Sequence, residues 1–246
     1  MASEVIVTAD KIHKRKKRMS RTKIILLILF LLLLAIFLVL YFTFSVNRFT
    51  ISIDQDLRRE KGIVIYTDLF ERAEQRKLYA DAITNMDNIC GNVYEEEWAA
   101  IQKNESGGSH NGKNYIAYTF YIENQGSVGV NYWYTIEIDD VIKGVDEATW
   151  VGVYHNDDEP VFYAKKNMKN GGPEQLTGMP SHIQPEEYYS DDVVVLKQRP
   201  NFGVGDIDKF TIVIFLEGDD PDCIDGIIGG EIMMHMEIRE EHLKGE

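Results

Sequence analysis

From Ile24 to Phe44 the chain runs IILLILFLLLLAIFLVLYFTF without a charge. These roughly 21 residues would span ~31 Å as a helix, about the depth of a hydrocarbon core. The pattern changes completely behind it. Short segments rich in β-branched and aromatic residues recur between turn residues, at Asn47–Ile53, Ile63–Thr67, Tyr115–Glu123, Val130–Ile138, Thr149–Tyr154, Val161–Ala164, Val193–Lys197, Phe210–Leu216 and Ile232–Ile238. Most alternate with period two at least in part, which predicts strands. In Tyr115–Glu123, Tyr115, Ala117, Thr119 and Tyr121 fall on one face, and Ile116, Tyr118, Phe120 and Ile122 on the other. Turns are explicit at Asn124-Gln125-Gly126, Asn156-Asp157-Asp158, Asn170-Gly171-Gly172-Pro173 and Glu217-Gly218-Asp219. Behind the apolar run helix is scarce, the best candidates being Phe70–Leu78, rich in Glu, Arg, Gln and Lys, and Glu95–Gln102, where acids occupy the first turn and favour the helix dipole. Many short strands with such punctuation predict an antiparallel β-sandwich.

Charge gives the apolar run a direction. Lys11, Lys14, Arg15, Lys16, Lys17, Arg18, Arg21 and Lys23 precede it, while Arg48, Arg58 and Arg59 behind it are sparser and offset by Asp54 and Asp56. Basic residues stay on the cytoplasmic side, so the expected organisation is a cytoplasmic tail at 1–23, a transmembrane signal anchor at 24–44 and an extracellular domain at 45–246. Tyr41, Phe42 and Phe44 stand where an interfacial aromatic belt belongs. A cleaved signal peptide is the competing reading, but its apolar core is usually about 7–15 residues and ends at a small-x-small site. Here the candidates near Thr43 and Ser45 have bulky Phe and Val neighbours.

The tail to Lys23 carries about +6, so the overall −14 leaves about −20 for the remainder. A domain that acidic repels nucleic acid, and suits cations, basic partners or simple solubility. The two cysteines, Cys90 and Cys223, lie far apart. Outside a membrane a disulfide between them is chemically allowed, worth about 4–5 kcal/mol in the chain-entropy model. Two independent buried thiols are the alternative, and sequence does not choose. Asn104-Glu105-Ser106 is a glycosylation sequon that matters only in a eukaryotic secretory route.

Candidate chemistry concentrates in Glu217–Glu231, EGDDPDCIDGIIGGE. Glu217, Asp219, Asp220, Asp222 and Asp225 are closely spaced hard oxygen donors of the kind calcium takes. An EF-hand register counted from Asp220 fails, because Ile224 and Asp225 fall at the fifth and sixth positions, where an oxygen ligand and a glycine are needed. The site reads either as a different calcium loop or as a solvated acidic turn. Asp206-Ile207-Asp208, Asn156–Glu159 and Asp139-Asp140 read as further acidic turns. The histidines, His13, His110, His155, His182, His235 and His242, form no HExxH motif. G-x-S-x-G, Walker A and dinucleotide glycine patterns are also absent, so an enzyme is not expected. Tyr132-Trp133-Tyr134 should split between core and surface, and Tyr188-Tyr189 is the aromatic pair best placed for an exposed contact.

Two stretches, Tyr118–Val130 (YTFYIENQGSVGV) and Asp206–Gly230 (DIDKFTIVIFLEGDDPDCIDGIIGG), carry a resemblance. In them the outer part resembles uncharacterised membrane-anchored surface proteins of Gram-positive, clostridial-type bacteria. More remotely it is similar to the TasA/camelysin group of matrix and surface proteins. The resemblance implies a jelly-roll or Ig-like sandwich and a structural or assembly role, with fibre formation by exchange of an N-terminal strand in the TasA-like case. A retained anchor at 24–44 would tether that strand. No zinc motif of the camelysin type transfers to any position. The resulting expectation is a single-pass surface protein that displays an acidic β-sandwich for protein–protein interaction or envelope structure. The alternatives are a calcium-dependent binding module, and a secreted matrix or fibre subunit if the segment is cleaved.

Overall fold

The computed structural model describes residues 21–38, 48–90, 95–169 and 183–240. The basic residues from Lys11 to Arg18, the aromatics Tyr41, Phe42 and Phe44, the Asn170–Pro173 turn and His13, His182 and His242 lie outside the described residues. The chain divides into two compact units, Met1–Val46 and Asn47–Glu246. In the first, helix α1 (Arg21–Leu38) exposes its side chains throughout and, among the described residues, is the helix long and apolar enough to cross a membrane. Its length and composition suit a membrane anchor and a signal sequence equally.

The second unit is mainly β. In chain order it contains β1 (Thr50–Ile53), α2 (Gln55–Glu60), β2 (Ile63–Tyr66), β3 (Lys77–Tyr79), α3 (Glu95–Gln102), β4 (Gly108–Ser109), β5 (Tyr115–Asn124) and β6 (Val130–Ile142). It continues with β7 (Thr149–His155), β8 (Val161–Ala164), β9 (Glu186–Glu187), β10 (Val193–Phe202), β11 (Ile207–Leu216) and β12 (Glu231–Glu240). One sheet has the order β10-β6-β12-β1-β3. The other has the order β2-β5-β11-β7-β8-β9, with β4 paired to β5.

The sheets are mixed rather than purely antiparallel. β1 runs parallel to β12, with Thr50 opposite His235 and Ile53 opposite Ile238, and β8 runs parallel to β9. Tight hairpins force antiparallel pairing, but nearly the whole unit separates β1 from β12, so no turn constrains their direction.

Side chains of both sheets meet in one core. Ile51, Tyr132, Tyr134, Ile136, Met236 and Ile238 of the first sheet pack with Phe120, Ile122, Val153, Phe210, Ile212 and Ile214 of the second. Tyr134 meets Phe210 edge-on at 5.0 Å between ring centroids. The far side of the second sheet is covered too. Trp98 and Ile101 of α3 pack with Trp150, Phe162, Val213 and Phe215 on that face, with Trp98 5.2 Å from Phe215 and 5.3 Å from Tyr115. Both faces of β5 are therefore buried, which explains why its two alternating sets are equally apolar.

Phe70–Leu78 is not a helix. Asp68 accepts hydrogen bonds from the backbone N–H groups of Phe70 and Glu71, Arg72 takes a positive φ of 46°, and the chain leaves the turn to form β3. Phe70, 96% exposed, anchors nothing, whereas Leu78 is buried beside β1. The segment has helix-forming residues but no apolar stripe to dock, and tertiary pairing at Leu78 overrides propensity.

At Asn124-Gln125-Gly126 the fully buried Asn124 donates to the carbonyls of Val128 and Phe202 and accepts from the Gly126 N–H. A Cβ at Gly126 would sit 1.8 Å from the Lys61 carbonyl oxygen, so glycine is required for this approach.

Candidate functional site

The acidic turn after β11 is organised by backbone pairing to a distant loop. Ile89 forms an isolated parallel bridge with Glu217, its N–H donating to the Leu216 carbonyl at 2.9 Å and its carbonyl accepting from Gly218 at 2.7 Å. The chain then folds tightly, with Asp220 N–H donating to the Glu217 carbonyl and Cys223 N–H to that of Asp220. Of the five predicted calcium donors, Glu217, Asp220 and Asp222 are buried and Asp219 and Asp225 exposed.

They do not all point to one centre. Asp220 accepts the indole N–H of buried Trp150 at 3.0 Å and the Asp222 N–H at 2.9 Å. Asp222 accepts the Met168 N–H at 2.9 Å, and Asp225 stands in the following 3-10 turn. Glu217 and Asp219 do converge, and with them comes a residue that sequence reasoning left out of the set. The Cys90 sulfur and one oxygen from each carboxylate lie within 4.8 Å of one another. No spacing rule links Cys90 to Glu217, because the Ile89 bridge joins them through the fold.

Burial pushes the Asp220 carboxyl upward, and the hydrogen bond from Trp150 only partly opposes it. Burial pushes both thiols up as well, with the Asp219 carboxylate adding to the effect at Cys90 and the Asp220 carboxylate at Cys223. These groups are poor nucleophiles at neutral pH.

A second polar cluster ties the sheets together. Asp208 on β11, 1% exposed, accepts the Tyr132 hydroxyl at 2.6 Å, Arg199 Nε at 3.0 Å and Asn156 Nδ2 at 3.0 Å, with His155 Nε2 at 3.4 Å. Tyr132 and Arg199 come from β6 and β10 of the opposite sheet, and His155 stacks on Phe210 at 4.6 Å. Burial alone would raise the Asp208 carboxyl, but hydrogen bonds from His155, Asn156 and Tyr132 outweigh it and hold the group well below the usual range. A carboxylate so stabilised is a weak base. The arrangement is an ion-paired clasp rather than an acid–base pair poised near neutrality.

The acidic turn expected at Asp206–Asp208 is corrected here: Asp208 lies within β11 and shares the parity of Phe210, Ile212 and Ile214, the alternation that could have placed it on the core face. Of the two tyrosines predicted at the surface, Tyr188 is instead buried, its hydroxyl donating to the Thr149 carbonyl, whereas Tyr189 is 67% exposed. Tyr132 and Tyr134 are core residues and Trp133 is half-buried.

One surface depression is lined by Gly129, Val130, Asn131, Asn201 and Gly203, and another by residues that include Lys165, Glu147, Glu187 and Tyr189. Lys165 is held in its charged form by Asp146 and Glu147 against the cost of burial.

No family model, no curated protein and no solved structure matches the chain.

Proposed function

We propose that the chain is a single-pass membrane protein, N-terminus inside, that displays an acidic β-sandwich outside the cell for protein–protein interaction or envelope structure. The carrying observation is the exposed apolar helix Arg21–Leu38, preceded in sequence by basic residues and followed by a compact, mainly β unit. The two sheets with their shared core favour a sandwich of the jelly-roll or Ig-like kind. The clostridial surface-protein resemblance agrees with a display role. Internally satisfied polar clusters favour binding through the surface over chemistry in a cleft.

The test places a protease site before a C-terminal tag and treats intact cells. Release of the tag, with the full-length protein otherwise staying in membranes through an alkaline wash, is the expected result. A protected tag removes the reading. A mature protein shortened at residues 43–46 and released into the medium replaces it with a secreted matrix or fibre subunit.

Calcium binding at the turn is the second reading, favoured by the approach of the Glu217 and Asp219 carboxylates. Calorimetry on the full chain in detergent should give heat on adding calcium that Asp219→Asn weakens severalfold. No heat and no shift in melting would eliminate it.

A further inference from the structure

We infer that Cys90 and Cys223, the two cysteines of the chain, form an intramolecular disulfide that staples the loop before α3 to the acidic turn after β11. The inference depends on the surface reading for the oxidising surroundings, but its geometry stands independently. The Ile89–Glu217 bridge and the 2.7 Å Gly218-to-Ile89 hydrogen bond fix the backbone beside Cys90 against the start of the turn that carries Cys223. The Cys223 N–H donates to the Asp220 carbonyl at 2.9 Å, closing a tight turn that begins at Glu217, the residue bridged to Ile89.

The Cys90 sulfur lies among the Glu217 and Asp219 carboxylates of the turn, and Asn88, two residues before Cys90, stands against the same turn, where a Cβ on Gly218 would come 2.8 Å from its Oδ1. The segment that carries Cys90 is thus set against the turn that carries Cys223. Both are half-buried, which leaves a path for an oxidant, and the structure records both as thiols.

Closure is a two-step exchange. One thiol loses its proton and attacks a disulfide oxidant, either a small molecule or a thiol–disulfide oxidoreductase, releasing one of the oxidant's sulfurs as a thiol. The second cysteine, also deprotonated, then displaces the other sulfur. One S–S bond forms within the chain, and two electrons and two protons pass to the oxidant, which becomes two thiols.

The experiment uses the full chain purified in detergent and equilibrated with oxidised and reduced glutathione. Free thiols are then alkylated and the unreduced digest read by mass spectrometry. The expected result is a linked peptide pair joining Cys90 to Cys223 on a monomeric chain, lost in Cys90→Ser, with a higher urea midpoint for the oxidised than for the reduced protein. Full alkylation of both thiols throughout, or linkage only between chains, overturns the inference. The protease test of orientation is separate. An inward domain whose cysteines still link in the glutathione buffer refutes the surface reading alone, and an outward domain that never links refutes the disulfide alone.

Discussion

Asp208 shows how one residue joins two sheets. Its carboxylate takes donors from β6 and β10 across the core and from Asn156 and His155 beside it, so removing its charge leaves Arg199 without its buried partner. Asp208→Asn is expected to cost about 3–5 kcal/mol, the range for breaking one side of a buried ion pair, read as a fall in urea midpoint. Asp208→Ala should lose at least as much. The pH dependence has a definite sign. The folded carboxyl titrates well below its unfolded value of about 3.9, so its contribution is fully present above about pH 4–5 and is lost as pH falls through that value toward the folded one. Wild type should show a steeper loss of stability on the acid side of pH 4 than Asp208→Asn, and equal slopes would refute the clasp. At the same scale, Asn156 holds a positive φ of 53° while its side chain bridges Asp208 and the Lys209 N–H, a local role that asparagine fills better than most residues.

Among the elements, α3 is the one whose docking the sequence could not place. Its first-turn acids and helix-forming residues predicted the helix, and Trp98 and Ile101 turn out to be its buried contacts. Trp98 fills the space among Tyr115, Phe162 and Phe215, so Trp98→Ala should cost about 3–5 kcal/mol through the cavity it leaves. Trp98→Phe should recover most of that loss in the same denaturation series. If Trp98→Ala changes the midpoint by less than about 1 kcal/mol equivalent, the far face of the second sheet is not a true core. The strands were mostly legible because β-branched alternation is a local signal. Short β3, β4 and β9 were not, since two or three residues cannot display a period and their assignment rests on the neighbour that accepts their hydrogen bonds. The misread helix at Phe70–Leu78 has the same origin, because Leu78 is decided by pairing with Ile51 rather than by its own surroundings in sequence.

For the whole molecule, charge and hydropathy divide along the same line. A basic, apolar leading unit precedes a unit of opposite charge, and the split falls at Val46/Asn47. A domain of that charge is repelled by anionic lipid and nucleic acid. The orientation test under the proposed function belongs to this scale, because orientation follows the summed charge of the two flanks rather than any single residue or strand. Strand β1 belongs here as well. It follows the leading unit directly, yet it sits between β12 and β3, so the first strand of the second unit is locked beside the last.

The apolar segment, the sign of its flanks, the mainly β character of the rest and the crowding of acids after β11 are all readable along the chain, because each is a property of neighbours in sequence. The folded chain was needed to show that β1 lies parallel to β12, that Asp208 is a clasp between sheets rather than a solvated turn, and that Cys90 lies against Glu217 and Asp219. Those pairings join residues tens to hundreds of positions apart. They exist only once the entropy of closing such loops is offset by the shared core, and no local pattern records that balance.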